Sequence, residues 1–192
     1  MTALRITQVG RVLVVEGDDP PINRMSLAYI DEWEVLLDRI EADPEIRAVV
    51  VTAVGDTNFS VGMDLKELTT QAGSRGGFEA VLDQRRRVLH RIESLPKPVI
   101  ATLFGYCLGG GLELPLACHF RLAAAEGARI GLPELDLGTV PAWGGSVRLT
   151  RTIGRAAALD MILRARKIDG PEAYRLGLVH EVVPLEIGRA HV

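Results

Sequence analysis

One run constrains this chain more than any other: Val99-Ile100-Ala101-Thr102-Leu103, followed by Gly105-Tyr106-Cys107-Leu108-Gly109-Gly110-Gly111-Leu112-Glu113-Leu114-Pro115. The first five residues read as a buried strand, and proline is tolerated in a helix only within about its first turn. A helix that holds Pro115 therefore has to begin at Gly110 or Gly111, with glycines forming the joint between strand and helix. Glycine backbone takes positive φ and lets another group approach closely. The first amides of a helix have no intrahelical acceptor and attract negative charge. Such a turn can hold an oxygen anion, and Glu113 stands one helical turn beyond it. The plain alternative is a tight junction whose packing excludes side chains, with Glu113 only complementing the helix dipole.

Two further segments belong to the same reading. In Phe59-Ser60-Val61-Gly62-Met63-Asp64, a Met63 N–H aimed at the same point as the Gly110 N–H would make two donors converge on one developing oxyanion. In Pro133-Glu134, a second carboxylate lies beside a backbone turn. A carboxyl in an apolar pocket has its pKa raised and serves as an acid, while another that stays ionised serves as a base. Adding water across a double bond needs that division. The alternative for Glu134 is a surface loop carboxylate. Asp64 either bonds loop amides or caps the next helix, and the structural role is favoured. Trp143, between Pro141 and Gly144-Gly145, is a pocket wall or ordinary core.

Other chemistries lack their patterns. The spacing Gly-x-Gly-x-x-Gly, a Walker loop and Gly-x-Ser-x-Gly are missing, which removes dinucleotide, P-loop and serine hydrolase readings. Cys107 and Cys118 form no CxxC and read as buried free thiols, and the four histidines show no metal-ligand spacing, so no metal is expected. With 25 acidic and 22 basic residues the net charge is −3, which argues against a surface devoted to nucleic acid. The cluster Arg85-Arg86-Arg87 with Arg91 reads as a solvated helix face. The amino terminus lacks a secretory core and no apolar run is long enough to cross a bilayer, so a cytoplasmic protein is expected.

At 192 residues and 47% hydrophobic content the chain suits one globular domain. Ile6–Val9 and Val12–Glu16 read as strands joined at Gly10, and 26–43 reads as a helix capped by Ser26 and stopped near Pro44. Ile46–Val54 reads as a strand covered on both faces, Leu65 onward as a short helix, Gln71–Gly77 as a mobile Gly-rich loop and Val81–Ser94 as an amphipathic helix. Phe120–Ala124 and Ala128–Ile130 read as strands. A loop-rich stretch, three helices (Ser146–Ile153, Arg155–Leu163, Pro171–Leu176) and a last extended piece at Val179–Val183 complete the chain. Strand, strand, helix recurs about three times, which predicts a layered α/β fold.

In order and spacing, Asn23-Arg24-Met25-Ser26, Asn58 to Leu65, Lys97 to Ala101, Gly105 to Glu113, Leu132 to Gly138, Pro141 to Gly145 and Gly177-Leu178-Val179 resemble the enoyl-CoA hydratase/isomerase family, also called the crotonase superfamily. The resemblance implies a single α/β core domain over 1–192, a spiral of ββα units with flanking helices, assembled as trimers or pairs of trimers. It also implies coenzyme A thioester chemistry in which the thioester oxygen becomes an enolate held by the N–H groups of Met63 and Gly110. No prosthetic group is implied, since coenzyme A enters as part of the substrate. Hydratases carry both acids, whereas double-bond isomerases usually keep only the second. Matching both therefore implies a 2-enoyl-CoA hydratase, with Glu113 activating water and Glu134 supplying the α-carbon proton. Arg24 and Lys66 match candidate phosphate contacts. Val61, Gly62, Asp64, Leu65, Gly109, Pro133 and Trp143 match the walls of the substrate site, and Met63 narrows the acyl channel. An isomerase, another acyl-CoA enzyme on the same oxyanion hole, and a non-catalytic CoA-thioester-binding or assembly protein are the alternatives.

Two departures from the family pattern stand out. His119 replaces an aspartate often found in the Ala-Cys-Asp segment, which predicts a perturbed structural hydrogen bond. The family continues past Val183 into a helical region that covers the site, whereas residues 184–192 here form a short tail, so that region is expected to be largely missing.

Overall fold

The computed structural model describes residues 2–185; the expected tail lies outside the described residues from 186 onward. Its elements are β1 (Leu4–Val9), β2 (Val12–Gly17), β3 (Arg24–Met25), α1 (Leu27–Ala42), β4 (Ala48–Ala53), β5 (Gly62–Met63), α2 (Leu65–Gln71), α3 (Phe78–Ser94), β6 (Val99–Leu103), β7 (Tyr106–Leu108), α4 (Gly110–Ala117), β8 (Phe120–Ala124), β9 (Arg129–Gly131), α5 (Gly145–Ile153), α6 (Arg155–Leu163), α7 (Gly170–Arg175) and β10 (Glu181–Val183).

Six strands form one sheet in the order β1-β2-β4-β6-β8-β10. The β1-β2 hairpin is antiparallel and every later pairing is parallel, with Val49 opposite Val99 and Thr102 opposite Leu122. Parallel strands with both faces covered need continuous apolar runs, and Val49, Val50 and Val51 are all buried. The short strands pair separately, as β3-β5 and β7-β9. The chain thus lays one strand in the large sheet, the next in a small ladder, and then a helix. This occurs four times rather than the three expected. The sequence reading missed the ladder strands β3, β5 and β7, which have only two, two and three residues.

Helix α1 buries Leu27, Ile30, Trp33, Leu36, Leu37 and Ile40 along one stripe, as the helical period requires. Its first turn is held by Ser26, whose Oγ accepts from Tyr29 N at 3.1 Å. Asn23, at φ 49°, donates to the carbonyls of Val54 and Asn58 at 3.0 and 2.8 Å, and Asn58 accepts from Tyr106 N at 2.9 Å. These two buried amides fasten the loops of three successive turns to one another. Leu108 N donates to Ser60 O at 3.0 Å, which sets the end of the β5 loop against the start of α4.

Two sequence expectations need correction. Gln71–Gly77 is not a mobile loop: Ala72–Arg75 make a 3-10 turn, Ala72 is buried and Arg75 pairs with Asp31 at 2.7 Å. The arginine cluster is not uniformly solvated, because Arg85 is completely buried. His119 bonds Val99 in both directions. Its Nδ1 accepts from Val99 N at 3.0 Å while its own N–H donates to Val99 O at 2.9 Å. Both cysteines are buried free thiols, as expected.

Candidate active site

All three glycines of the triplet are dictated by what lies against them. A Cβ on Gly109 would stand 3.2 Å from Glu134 Oε1, one on Gly110 would stand 2.5 Å from the Trp143 ring, and one on Gly111 would stand 2.5 Å from Ser60 O. Close packing and a site are therefore not competing explanations here. The groups that exclude side chains are themselves an acid, an aromatic wall and the β5 loop.

Gly110 opens α4, and its N–H is one of the amides that helical geometry leaves without an acceptor. Gly62 lies beside it, at φ 95°, where a Cβ would be 3.2 Å from Gly110 N and 2.7 Å from Leu108 O. The next amides alternate. Asp64 N donates to Met25 O across the β3-β5 ladder at 3.2 Å, so strand alternation turns the Met63 N–H away from β3. Met63 itself is half-buried and packs against Leu27, Leu68, Ala72 and Val81.

Glu113 is 2% exposed and held rigidly. Its Oε1 accepts from Trp143 N and from Gly145 N, each at 2.8 Å. Burial pushes its pKa up to about 7, against the pull of the Gly145 amide, and the neighbouring charge of Glu134 adds to the rise. Glu134 sits at the start of a 3-10 turn, Glu134–Leu137, and is also raised by burial. Its Oε2 is buried and has no partner among the described residues. A carboxyl in that state favours its protonated form. Two acids with elevated proton affinity thus lie near each other beside the glycine turn, Glu134 against Gly109 and Glu113 fixed by backbone donors.

Trp143 is 2% exposed and serves as wall and core at once, its ring on Gly110 and its N–H on Glu113. Pro133 precedes Glu134 and is half-buried. Asp64 caps α2, its Oδ1 accepting from Glu67 N at 3.0 Å, and also faces Arg24 at 3.4 Å. Arg24 is further tied to Asp19 at 2.8 Å. Leu65 and Lys66 are exposed on the first turn of α2, and Val61 N bonds Ile22 O at 3.1 Å. The structure therefore gathers Met63, Gly109, Gly110, Glu113, Glu134 and Trp143 at one place, and sets Arg24, Asp64, Leu65 and Lys66 along the adjoining α2 edge.

Sequence reasoning missed three contributors. Gly145 is required because a Cβ there would stand 2.7 Å from Glu113 Oε1; its place in the Pro141–Gly145 motif was the available signal. Arg148 donates from Nη1 to Trp143 O at 2.9 Å and pairs with Glu93 at 2.8 Å, bracing the wall. Arg85 places its Cζ 5.1 Å from the Trp143 ring centroid, and nothing in an arginine triplet signals that one member points inward.

The family model described as "Enoyl-CoA hydratase/isomerase" matches residues 7–188. The chain belongs to the enoyl-CoA hydratase/isomerase family. It is 41% identical over 179 residues to a probable enoyl-CoA hydratase of Bacillus subtilis (strain 168), covering 93% of this chain and 68% of that protein. It is 37% identical to a short-chain-enoyl-CoA hydratase of Clostridium acetobutylicum, covering 91% of this chain and 66% of the relative. Against the fatty acid oxidation complex subunit alpha of Shewanella sp. (strain W3-18-1) it spans 25% of that protein's length at 36% identity. The solved enoyl-CoA hydratase of Bacillus anthracis superposes with a TM-score of 0.89 at 34% identity, over 97% of this chain and 72% of that one. The enoyl-CoA hydratase of Thermoplasma volcanium GSS1 gives a TM-score of 0.86 at 31% identity, over 95% and 71%. The ββα spiral is thus the crotonase fold, and the chain spans about two thirds of the length of the two hydratase relatives. Among the described residues no helix is long and apolar enough to cross a membrane.

Proposed function

We propose that the chain catalyses reversible addition of water to a 2-enoyl-CoA thioester. The observation that supports this reading is that Glu134 Oε1 lies against Gly109 while Glu113, one turn into the same helix, is bonded to the Gly145 amide, both acids having raised proton affinity. The thioester oxygen accepts from the N–H groups of Met63 and Gly110, which stabilise it as it gains enolate charge; a donor of this kind typically contributes about 10²–10³ in rate. Ionised Glu113 takes a proton from water as the oxygen attacks the β-carbon, and the π electrons move to the thioester oxygen. Protonated Glu134 then gives its proton to the α-carbon as the enolate collapses. Each acid ends in the other's starting state, and exchange with solvent restores both.

An isomerase moves one proton within the substrate and needs one such acid, so two acids of raised proton affinity beside one turn favour the hydratase. Backbone donors and carboxyls perform every step, with coenzyme A supplied as part of the substrate. Trimers or paired trimers and a cytoplasmic location belong to the same reading, supported by the resemblance to the family. Loss of the conjugated-thioester absorbance of crotonyl-CoA on mixing with the purified chain tests the proposal. Glu113→Gln and Glu134→Gln should each lower turnover by roughly 10²–10⁴-fold. No change with the parent chain, alongside measurable binding of butyryl-CoA, would instead establish the non-catalytic reading.

A further inference from the structure

Two arginines are buried among the described residues, and they are treated differently by their surroundings. Arg121 donates from Nε to Leu178 O at 2.7 Å and from Nη1 to Cys118 O at 2.7 Å and Pro115 O at 3.3 Å. Arg85, which is 0% exposed, donates only from Nη1, to Val81 O at 3.2 Å. Its Nε and Nη2 are buried and have no acceptor among the described residues. The nearby carboxylates are committed elsewhere: Asp31 to Arg75 at 2.7 Å, and Glu67 to Leu27 N at 2.8 Å. Burial lowers the Arg85 pKa only to about 10, so the group is a cation at neutral pH. An uncompensated buried charge is strongly unfavourable. Its presence calls for an anion that the described residues do not supply.

Position and shape identify that anion. Arg85 lies on the face of α3 shared with Val81 and Val88, and its guanidinium stacks 5.1 Å from the centroid of Trp143. The other contact of that ring is Gly110, the opening residue of α4. Val81, one turn away, packs in the cluster against Met63. The cation is therefore one tryptophan ring from Gly110 and one helical turn from the cluster against which Met63 packs. Nε and Nη2 form one edge of the guanidinium, the pair of parallel N–H groups that a carboxylate engages through both oxygens.

We propose that Arg85 is a specificity-determining residue that receives a carboxylate at the far end of the acyl chain, so that the preferred substrate is the thioester of a dicarboxylic 2-enoic acid. The inference rests on the hydratase reading for the direction of the acyl chain. A purely apolar acyl group would leave the orphaned edge unpaired and gain nothing from it. A terminal carboxylate completes it and at the same time neutralises the buried charge.

The test separates binding from turnover. Glutaryl-CoA and pentanoyl-CoA have five-carbon acyl chains that differ in the terminal carboxylate, and neither can be hydrated. Calorimetry on the parent chain should show glutaryl-CoA binding roughly tenfold or more tighter, the range for hydrogen bonds to charged groups. Arg85→Met should abolish or reverse that preference, and Arg85→Lys, a point charge without the fork, should keep part of it. If Arg85→Met fails to fold, the Lys variant together with Arg85→Gln decides. Equal affinities in the parent chain, a preference that survives in Arg85→Gln or Arg85→Met, or binding of neither ester overturns the inference. Turnover of glutaconyl-CoA against 2-pentenoyl-CoA reads the hydratase proposal separately. An Arg85-dependent preference for glutaryl-CoA without turnover would sink the hydratase and leave the carboxylate site standing.

Discussion

Gly145 and Glu113 meet so closely that one hydrogen atom decides the geometry. The Gly145 N–H donates to Glu113 Oε1 at 2.8 Å, and a Cβ on Gly145 would stand 2.7 Å from that same oxygen and from Glu113 Cγ. Gly145→Ala therefore has to displace the carboxylate. A displacement of about 1 Å at a reacting group can cost on the order of 10² in rate, and that loss is expected in kcat with KM little changed. Because both changes act through one side chain, Gly145→Ala combined with Glu113→Gln should be no slower than Glu113→Gln alone. Multiplicative losses in the double variant would show that Gly145 acts by another route.

Glu113 also couples pH to activity and to stability, in opposite senses. As the base it must be ionised, so kcat/KM should fall as pH drops through about 7, and Glu113→Gln should lack that acid limb. In the folded chain the carboxyl holds its proton up to about pH 7, against an ordinary value of 4.5. Between those values the folded state binds more protons than the unfolded state, so stability falls as pH rises across the window and is level above it. Glu113→Gln keeps an oxygen for the Trp143 and Gly145 amides without the charge. It should therefore be more stable than the parent by up to about 3 kcal/mol at pH 8 and nearly equal at pH 4. Urea unfolding at the two pH values measures this, and a difference independent of pH would contradict it.

How much of this was legible beforehand depends on the range of the interaction. Local chemistry was readable: the Ser26 cap, the Pro115 limit on the start of α4, and the valine run of β4 all act within a few residues. The joint at Gly109–Gly111 was readable as well, since glycines between a strand and a helix report a backbone arrangement. Contacts between distant segments left no such trace. Gly145 is needed only because Glu113, far away in sequence, packs on it. Arg85 shares a polar run with Arg86 and Arg87, and its inward direction is set by the helical rotation that aligns it with Val81 and Val88. The two-residue β3 escaped because so short a strand has no period to detect.

The packing of Trp143 on Gly110 predicts a coupled pair. A methyl group on Gly110 would lie 2.5 Å from the ring, and overpacking of this kind costs about 1–3 kcal/mol. Truncating the ring in Trp143→Ala is costly by itself, about 3–5 kcal/mol, but it empties the space that the methyl needs. Gly110→Ala should thus be nearly neutral for stability in the Trp143→Ala background, giving a coupling of about 1–3 kcal/mol in a double-mutant cycle. Additive losses would mean that the methyl group collides with something other than the ring.

The two buried arginines should respond to the same substitution with opposite signs. Arg121 closes the carboxyl end of α4 and the Leu178 loop through three carbonyls. Pro115 O keeps its bond from Cys118 N at 3.0 Å, but Arg121→Met takes away the donor that serves Leu178 O and Cys118 O, at a cost of about 3 kcal/mol. Arg85 gives up one bond, to a carbonyl within its own helix, and its contact with Trp143. In return the chain sheds an unpaired interior cation, and replacing buried charge by an apolar side chain of similar length commonly stabilises by about 1–4 kcal/mol. Arg85→Met is accordingly expected to raise the unfolding midpoint while Arg121→Met lowers it. Equal destabilisation by both would assign Arg85 to the framework and remove the reason for its open edge to await a substrate.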